Sequence, residues 1–145
     1  MTVIAWNGQW LAADRLEQSN KMAWKGGGKI RRIASGELLC SCGNAAQGIL
    51  LEQWYEQGAN PDTWPGFQKP EDFTTLIIAQ STGVVVYEDV PALLPVVSRF
   101  MAWGAGRDFA MGAMAQGATA KEAVLIANQF SIYCGFGVDA YEICR

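Results

Sequence analysis

The chain contains no histidine. That absence removes every Ser-His-Asp and Cys-His mechanism and the commonest transition-metal ligand. A hydrolase built from this sequence needs another base, and a free α-amine, with an ordinary pKa of about 7.7–8.0, is the obvious candidate. Four cysteines are present, Cys40, Cys42, Cys134 and Cys144. Cys40-Ser41-Cys42 invites a metal reading, but no histidine can complete a ligand set. Cys40 and Cys42 lie two apart in a strand-like run, so both face one side of a sheet, and buried free thiols are the expectation. With no secretory signal, a disulfide framework is not expected.

The 145 residues fit one domain of ordinary size, taken as residues 1–145, and half of them are apolar, enough for a sizeable core. The formal charge is only −3. The one basic cluster, Lys29, Arg31 and Arg32, alternates like a strand, so no nucleic-acid partner is expected. No apolar run reaches the roughly 20 residues that span a bilayer, and MTVIAWNGQW lacks the charged and apolar regions of a signal peptide. The expected location is the cytoplasm, with no membrane association.

The elements that must position any chemistry can be read from turns and periodicity. Val3–Trp6 and Trp10–Ala13 are strand-like and flank Asn7-Gly8, a strong hairpin signal. The pattern then breaks from Asp14 to Gly28. Lys29–Ala34 and Glu37–Cys42 form a second hairpin across Ser35-Gly36. Asn44 caps a helix over Ala45–Glu56 that Gly58 stops, with Ala46, Ile49, Leu50 and Trp54 as its apolar face. Residues 59–72, rich in proline, read as a surface loop. Phe73–Ala79 and Val84–Tyr87 make a third hairpin, Pro91 and Pro95 punctuate the next connection, and Phe100–Trp103 is a short strand. A helix over Arg107–Gln116 ends at Gly117. Thr119-Ala120-Lys121-Glu122 has the form of a capping box that starts a helix to about Gln129, and Gly137–Ile143 is a final strand. Runs of strands with paired helices imply an α+β fold: two sheets face to face, with helices outside.

Several segments in this order resemble the proteasome β-subunit and HslV family of N-terminal nucleophile (Ntn) hydrolases. They are Thr2-Val3-Ile4-Ala5, Leu11-Ala12-Ala13-Asp14-Arg15, Lys29-Ile30-Arg31-Arg32-Ile33, Cys42-Gly43-Asn44-Ala45-Ala46, Trp103-Gly104-Ala105-Gly106-Arg107-Asp108-Phe109-Ala110, Gly117-Ala118-Thr119-Ala120-Lys121-Glu122-Ala123 and Cys134-Gly135-Phe136-Gly137-Val138-Asp139. The resemblance covers almost the whole of a chain short for that family. It implies a four-layer αββα sandwich of two mainly antiparallel sheets flanked by helices. It also implies a threonine-type peptidase in which removal of Met1 makes Thr2 the nucleophile, its own amine taking the hydroxyl proton. Lys29 would lower the pKa of hydroxyl and amine, Asp14 would orient Lys29, and the Gly43 N–H would be the oxyanion donor. Ser41 and Ala45 would flank a specificity pocket. By residue type alone, Thr2 is the first residue of an edge strand, Lys29 a solvated strand lysine, Asp14 a strand-end carboxylate and Gly43 a strand-to-helix turn. Arg15 reads as a solvent or interface residue.

Three supporting positions depart from the family. Ala105 stands where it usually has serine, Ser131 where it has aspartate, and Cys134 where it has serine. Asp108, beside Ala105, reads as a first-turn acid serving the helix dipole. The resemblance implies peptide or unfolded-protein substrates, a homo-oligomeric ring, an ATPase unfoldase partner and no cofactor or metal. The six tryptophans suit core and subunit contacts. Two other readings stand beside the enzyme. One is a catalytically inert, proteasome-like assembly subunit. The other is a small ligand-binding α+β domain, which requires no closeness between Thr2 and Lys29.

Overall fold

Alternation along the strands assigns each side chain to a layer. The computed structural model describes residues 1–19 and 21–144. Val3–Trp6 (β1) and Trp10–Asp14 (β2) pair antiparallel across the Asn7-Gly8 turn, where the Asn7 Oδ1 accepts from the N–H groups of Gln9 (3.1 Å) and Trp10 (2.8 Å). Met101–Gly104 (β10) joins β1 on one side and Val138–Glu142 (β11) joins β2 on the other, both antiparallel. The second sheet runs Ile30–Arg32 (β5), Leu38–Gly43 (β6), Thr74–Gln80 (β7), Gly83–Tyr87 (β8) and the two-residue Leu94–Pro95 (β9), again antiparallel.

Ile4, Trp6, Leu11 and Ala13 of the first sheet meet Leu38, Cys40, Ile77, Ala79, Val84 and Val86 of the second in a shared core. The alternate residues Val3, Ala5 and Ala12 face the other way, onto Arg107–Ala115 (α2) and Ala120–Phe130 (α3). Leu39, Leu76, Ile78, Val85 and Tyr87 pack beneath Ala45–Glu56 (α1). The order is therefore α, β, β, α, the four-layer arrangement expected from the sequence. Both faces of both sheets are covered, so inward and outward positions alike are apolar; each fully buried aliphatic side chain contributes about 1.5–3 kcal/mol. No helix among the described residues is long and apolar enough to cross a membrane.

The helix ends follow their local signals. The Asn44 side chain accepts from the Gln47 N–H at 3.0 Å, and both halves of the capping box at Thr119 and Glu122 form.

Three features differ from the sequence reading. The stretch after Asp14 holds a hairpin, Leu16–Ser19 (β3) and Met22–Lys25 (β4), in a two-stranded sheet of its own. All of β4 is exposed, so it carries no alternation of burial to read. The buried face of α1 is Gly48, Leu51 and Trp54, whereas Ala46, Ile49 and Leu50 are exposed. The helix settles on its glycine face because a Cβ at Gly48 would collide with the Ser41 side chain of β6. Trp54 then meets Trp64 and Tyr87 edge to face at 4.8 and 5.0 Å, and its Nε1 donates to the Asn60 carbonyl at 2.8 Å. Finally, Cys40 and Cys134 are buried, but Cys42 is half-buried and Cys144 exposed, all four as free thiols. Cys144 follows the last strand, beyond the layers that cover the others.

Candidate active site

Thr2 immediately precedes β1, Asp14 ends β2, and Lys29 immediately precedes β5 of the opposite sheet. The hairpin register pairs Ile4 with Ala13, which sets Asp14 beside the start of β1. The β3–β4 hairpin, closed by the Gly26 N–H on the Arg15 carbonyl at 2.8 Å, carries the chain out and back to deliver Lys29 to the same place. The Thr2 hydroxyl donates to Asp14 Oδ1 at 2.8 Å. Lys29 Nζ donates to Thr2 Oγ1 and to Asp14 Oδ1, each at 2.8 Å. Three polar groups thus form a closed triangle at the seam between the sheets.

Asp14 is wholly buried. An isolated carboxylate there would cost many kcal/mol, and its lone pairs are accordingly filled. Besides Thr2 and Lys29, Oδ1 accepts from the Val3 N–H at 3.0 Å. Oδ2 accepts from the N–H groups of Leu16 (3.3 Å) and Gly135 (3.1 Å). The lysine side chain is 10 % exposed, so its ammonium is held by this carboxylate and not by bulk water. The ammonium draws on the hydroxyl oxygen while the Asp14 carboxylate holds the hydroxyl proton.

The Thr2 main chain is clamped from the other side. Its carbonyl accepts from the Gly106 N–H at 3.2 Å, and Val3 pairs with Gly104 in the β1–β10 ladder.

A cleft of about 650 Å³ opens onto the triangle, lined among others by Thr2, Lys29, Gly43, Ser41, Ile49 and Glu52. Gly43 ends β6 at φ +128°, directly before the α1 cap. A Cβ there would run into the backbone of Phe73 and Thr74, so both conformation and space demand glycine. The position combines a strand end with the start of a helix, where unpaired N–H groups gather.

The remaining sequence-predicted residues fall into two groups. Ser41 and Ala45 line the cleft. Ala105 lies on the β10–α2 connection and is exposed; Ser131 caps the C-terminal end of α3, with its Oγ accepting from the Tyr133 N–H at 3.2 Å. Neither Ala105 nor Ser131 hydrogen-bonds to Thr2 among the described residues. Cys134 is buried against Gly106, and burial pushes its thiol up, opposed in part by a hydrogen bond with Ser131. The 131–135 turn reaches the triangle through the Gly135 backbone. Arg15 is neither free in solvent nor part of the triangle: its Nε lies 3.3 Å from Asp139 Oδ2, at ion-pair distance but not aligned as a hydrogen bond. Asp108 sits in the first turn of α2 with its side chain 89 % exposed.

Met1 belongs to the site as well. Its carbonyl accepts from Lys29 Nζ at 3.2 Å, and the bond that follows makes the Thr2 nitrogen an amide, which cannot take up a proton. Ile49, Glu52 and Gly135 were not among the candidates from sequence. Ile49 reads as core by periodicity, Glu52 belongs to no motif, and a backbone N–H leaves no trace in residue type.

No family model and no curated protein matches the sequence. Solved structures do match in fold. BPH of Thiobacillus denitrificans in complex with epoxomicin superposes with a TM-score of 0.74 at 19% identity, covering 99% of this chain and 98% of that one. A second BPH structure from the same organism gives 0.73 at 18% identity, over 98% and 96% of the two chains. Eukaryotic HslV from Trypanosoma brucei gives 0.72 at 16% identity, over 98% of each. The chain therefore has, over nearly its whole length, the αββα Ntn-hydrolase fold of HslV and BPH.

Proposed function

We propose that this chain is a threonine-type N-terminal nucleophile hydrolase that cleaves peptide bonds once Met1 is removed, working in a self-assembled ring. The observation that carries the reading is the triangle of Thr2 Oγ1, Lys29 Nζ and Asp14 Oδ1, with 2.8 Å on every side, at the wall of a cleft. Loss of Met1 frees an amine on the residue that bears the hydroxyl and vacates part of the cleft. The amine takes the hydroxyl proton as Oγ1 attacks the substrate carbonyl. Lys29 stabilises the developing alkoxide, and the Gly43 N–H faces the tetrahedral oxyanion. The proton passes to the leaving amine as the C–N bond breaks. Water, deprotonated by the same amine, then attacks the ester, and Thr2 is regenerated with release of the acid.

A second reading, an inert shell subunit of the same fold, is favoured by one set of residues. Ala105 supplies no hydroxyl and Ser131 no carboxylate near the place where the amine would form. Intact mass and epoxyketone labelling decide between the two. Epoxomicin, the ligand in the BPH complex, is an epoxyketone directed at N-terminal threonines. Protein lacking Met1 that gains one epoxomicin adduct, and loses both adduct and peptidase activity on Thr2→Ala substitution, supports the enzyme. Protein lacking Met1 that takes no label and turns over no peptide establishes the shell.

A further inference from the structure

A strand at the edge of a sheet presents unpaired backbone donors and acceptors to any extended chain laid beside it. β11 is such an edge: it pairs with β2 on one side and, among the described residues, with no strand on the other. A groove of about 610 Å³ runs along it, lined by Trp10, Val138 and Ala140 and, at the start of α3, by Thr119 and Lys121. Trp10, Val138 and Ala140 extend the apolar layer of Val3, Ala5 and Ala12 that faces the helices, but they are only half-buried, so that layer is left unfinished at β11. β4 is a second bare edge. It pairs only with β3 among the described residues, all of it is exposed, and one of its faces carries Met22, 70 % exposed, and Trp24, 44 % exposed.

The two edges complement each other in one register. Laid antiparallel with Trp24 opposite Ala140, β4 sets Lys25 opposite Asp139. Met22 and Trp24 then lie on the groove side with Val138 and Ala140, where Lys121 offers an ammonium to the indole. Lys25 forms no ion pair among the described residues. It meets a carboxylate whose one cation, Arg15, stands 3.3 Å away and unaligned. A slip of one residue would turn Trp24 out of the groove. Within one chain the two strands are not paired, so the match is made between copies. Because the edges differ, the contact is head to tail, the kind that closes into rings.

We propose that β4 of one copy adds as a strand to the β11 edge of the next, with Trp24 seated in the groove and Lys25 against Asp139. This rests on the self-assembled ring and names the elements that join its members. Sedimentation velocity gives the mass of the parent and of two variants, Trp24→Asp and, as a control at a 96 % exposed site far from either edge in sequence, Val97→Asp. The expected result is an oligomeric parent, an unchanged Val97→Asp, and a Trp24→Asp protein that keeps its native circular dichroism but dissociates at least ~30-fold more readily, as loss of an anchoring aromatic requires. Zero-length carbodiimide coupling of an oligomer assembled from mixed 14N and 15N copies should join Lys25 to Asp139 in mixed-label peptides. An oligomer that survives Trp24→Asp, or a Lys25–Asp139 link found only within single-label peptides, overturns the strand addition and leaves the ring standing. A parent that sediments as a monomer overturns the ring, and the strand addition with it.

Discussion

Gly104 stands against Thr2 with no room for a side chain. A Cβ there would lie 2.8 Å from Thr2 Cγ2 and closer still to the Thr2 carbonyl oxygen, and Gly104 has φ +91°. A Gly104→Ala substitution therefore combines the strain of a left-handed alanine with overpacking, a loss of about 2–4 kcal/mol. It also pushes Thr2 off the triangle. Urea unfolding should show the loss, and epoxomicin labelling should disappear in protein that keeps its native circular dichroism. Gly112 in α2 is the contrast: a Cβ there meets nothing, so Gly112→Ala should stabilise by about 0.5–1 kcal/mol and leave labelling intact.

Lys29 is the charge partner of a carboxylate that is 0 % exposed. A Lys29→Met substitution keeps much of the side-chain volume but leaves Asp14 with only neutral donors. Removing one member of a buried pair costs about 3 kcal/mol. The midpoint of urea unfolding should fall accordingly, with an unchanged m-value.

At position 105 the expected change is a gain. The residue lies between Gly104, in contact with Thr2, and Gly106, whose N–H binds the Thr2 carbonyl. Ala105→Ser places a hydroxyl beside the amine that forms on removal of Met1. Epoxomicin labelling should quicken by about tenfold, equivalent to ~1.4 kcal/mol in the barrier, with thermal stability unchanged because the site is exposed. A labelling rate equal to the parent's would exclude this place for the missing hydroxyl.

Alkaline pH should weaken the fold through Tyr55. Burial, and then its hydrogen bond to Glu37 at 3.0 Å, pushes the phenol up to about 12 from an ordinary 10.0. A raised folded-state pKa means that stability is complete below the unfolded value and is lost as pH rises through the folded one. The decline should therefore run from about pH 10 to pH 12. Tyr87, also pushed up by burial, adds in the same direction. Urea midpoints measured across this window should fall less steeply in Tyr55→Phe than in the parent.

Much of the architecture was written locally. Asn44 and Gly58 bracket α1 because a cap and a left-handed stop are single-residue decisions, and the capping box at Thr119 is a four-residue one. The β3–β4 hairpin was not legible, because a ladder standing clear of the core imposes no apolar rhythm. Nor was the face of α1, since Ile49, Leu50 and Leu51 offer apolar surface in several directions and the close approach of Gly48 to Ser41 decides among them. The grouping of Thr2, Asp14 and Lys29 came from the family resemblance; composition and spacing alone left them as ordinary strand-end residues. Backbone partners such as Gly135 and Gly106 were invisible, because every residue but proline has an N–H to offer.

Asp14 fastens together segments that are far apart in the chain: the first strand, the bend after the second, the lysine before β5, and Gly135, 121 residues downstream. While a chain is being made from its amino end, the carboxylate lacks that last donor until residue 135 has emerged and docked. The hydroxyl at position 2 consequently acquires its finished surroundings only when nearly everything else has folded. A newly made or partly opened chain carries that threonine without the lysine and carboxylate that flank it in the finished fold.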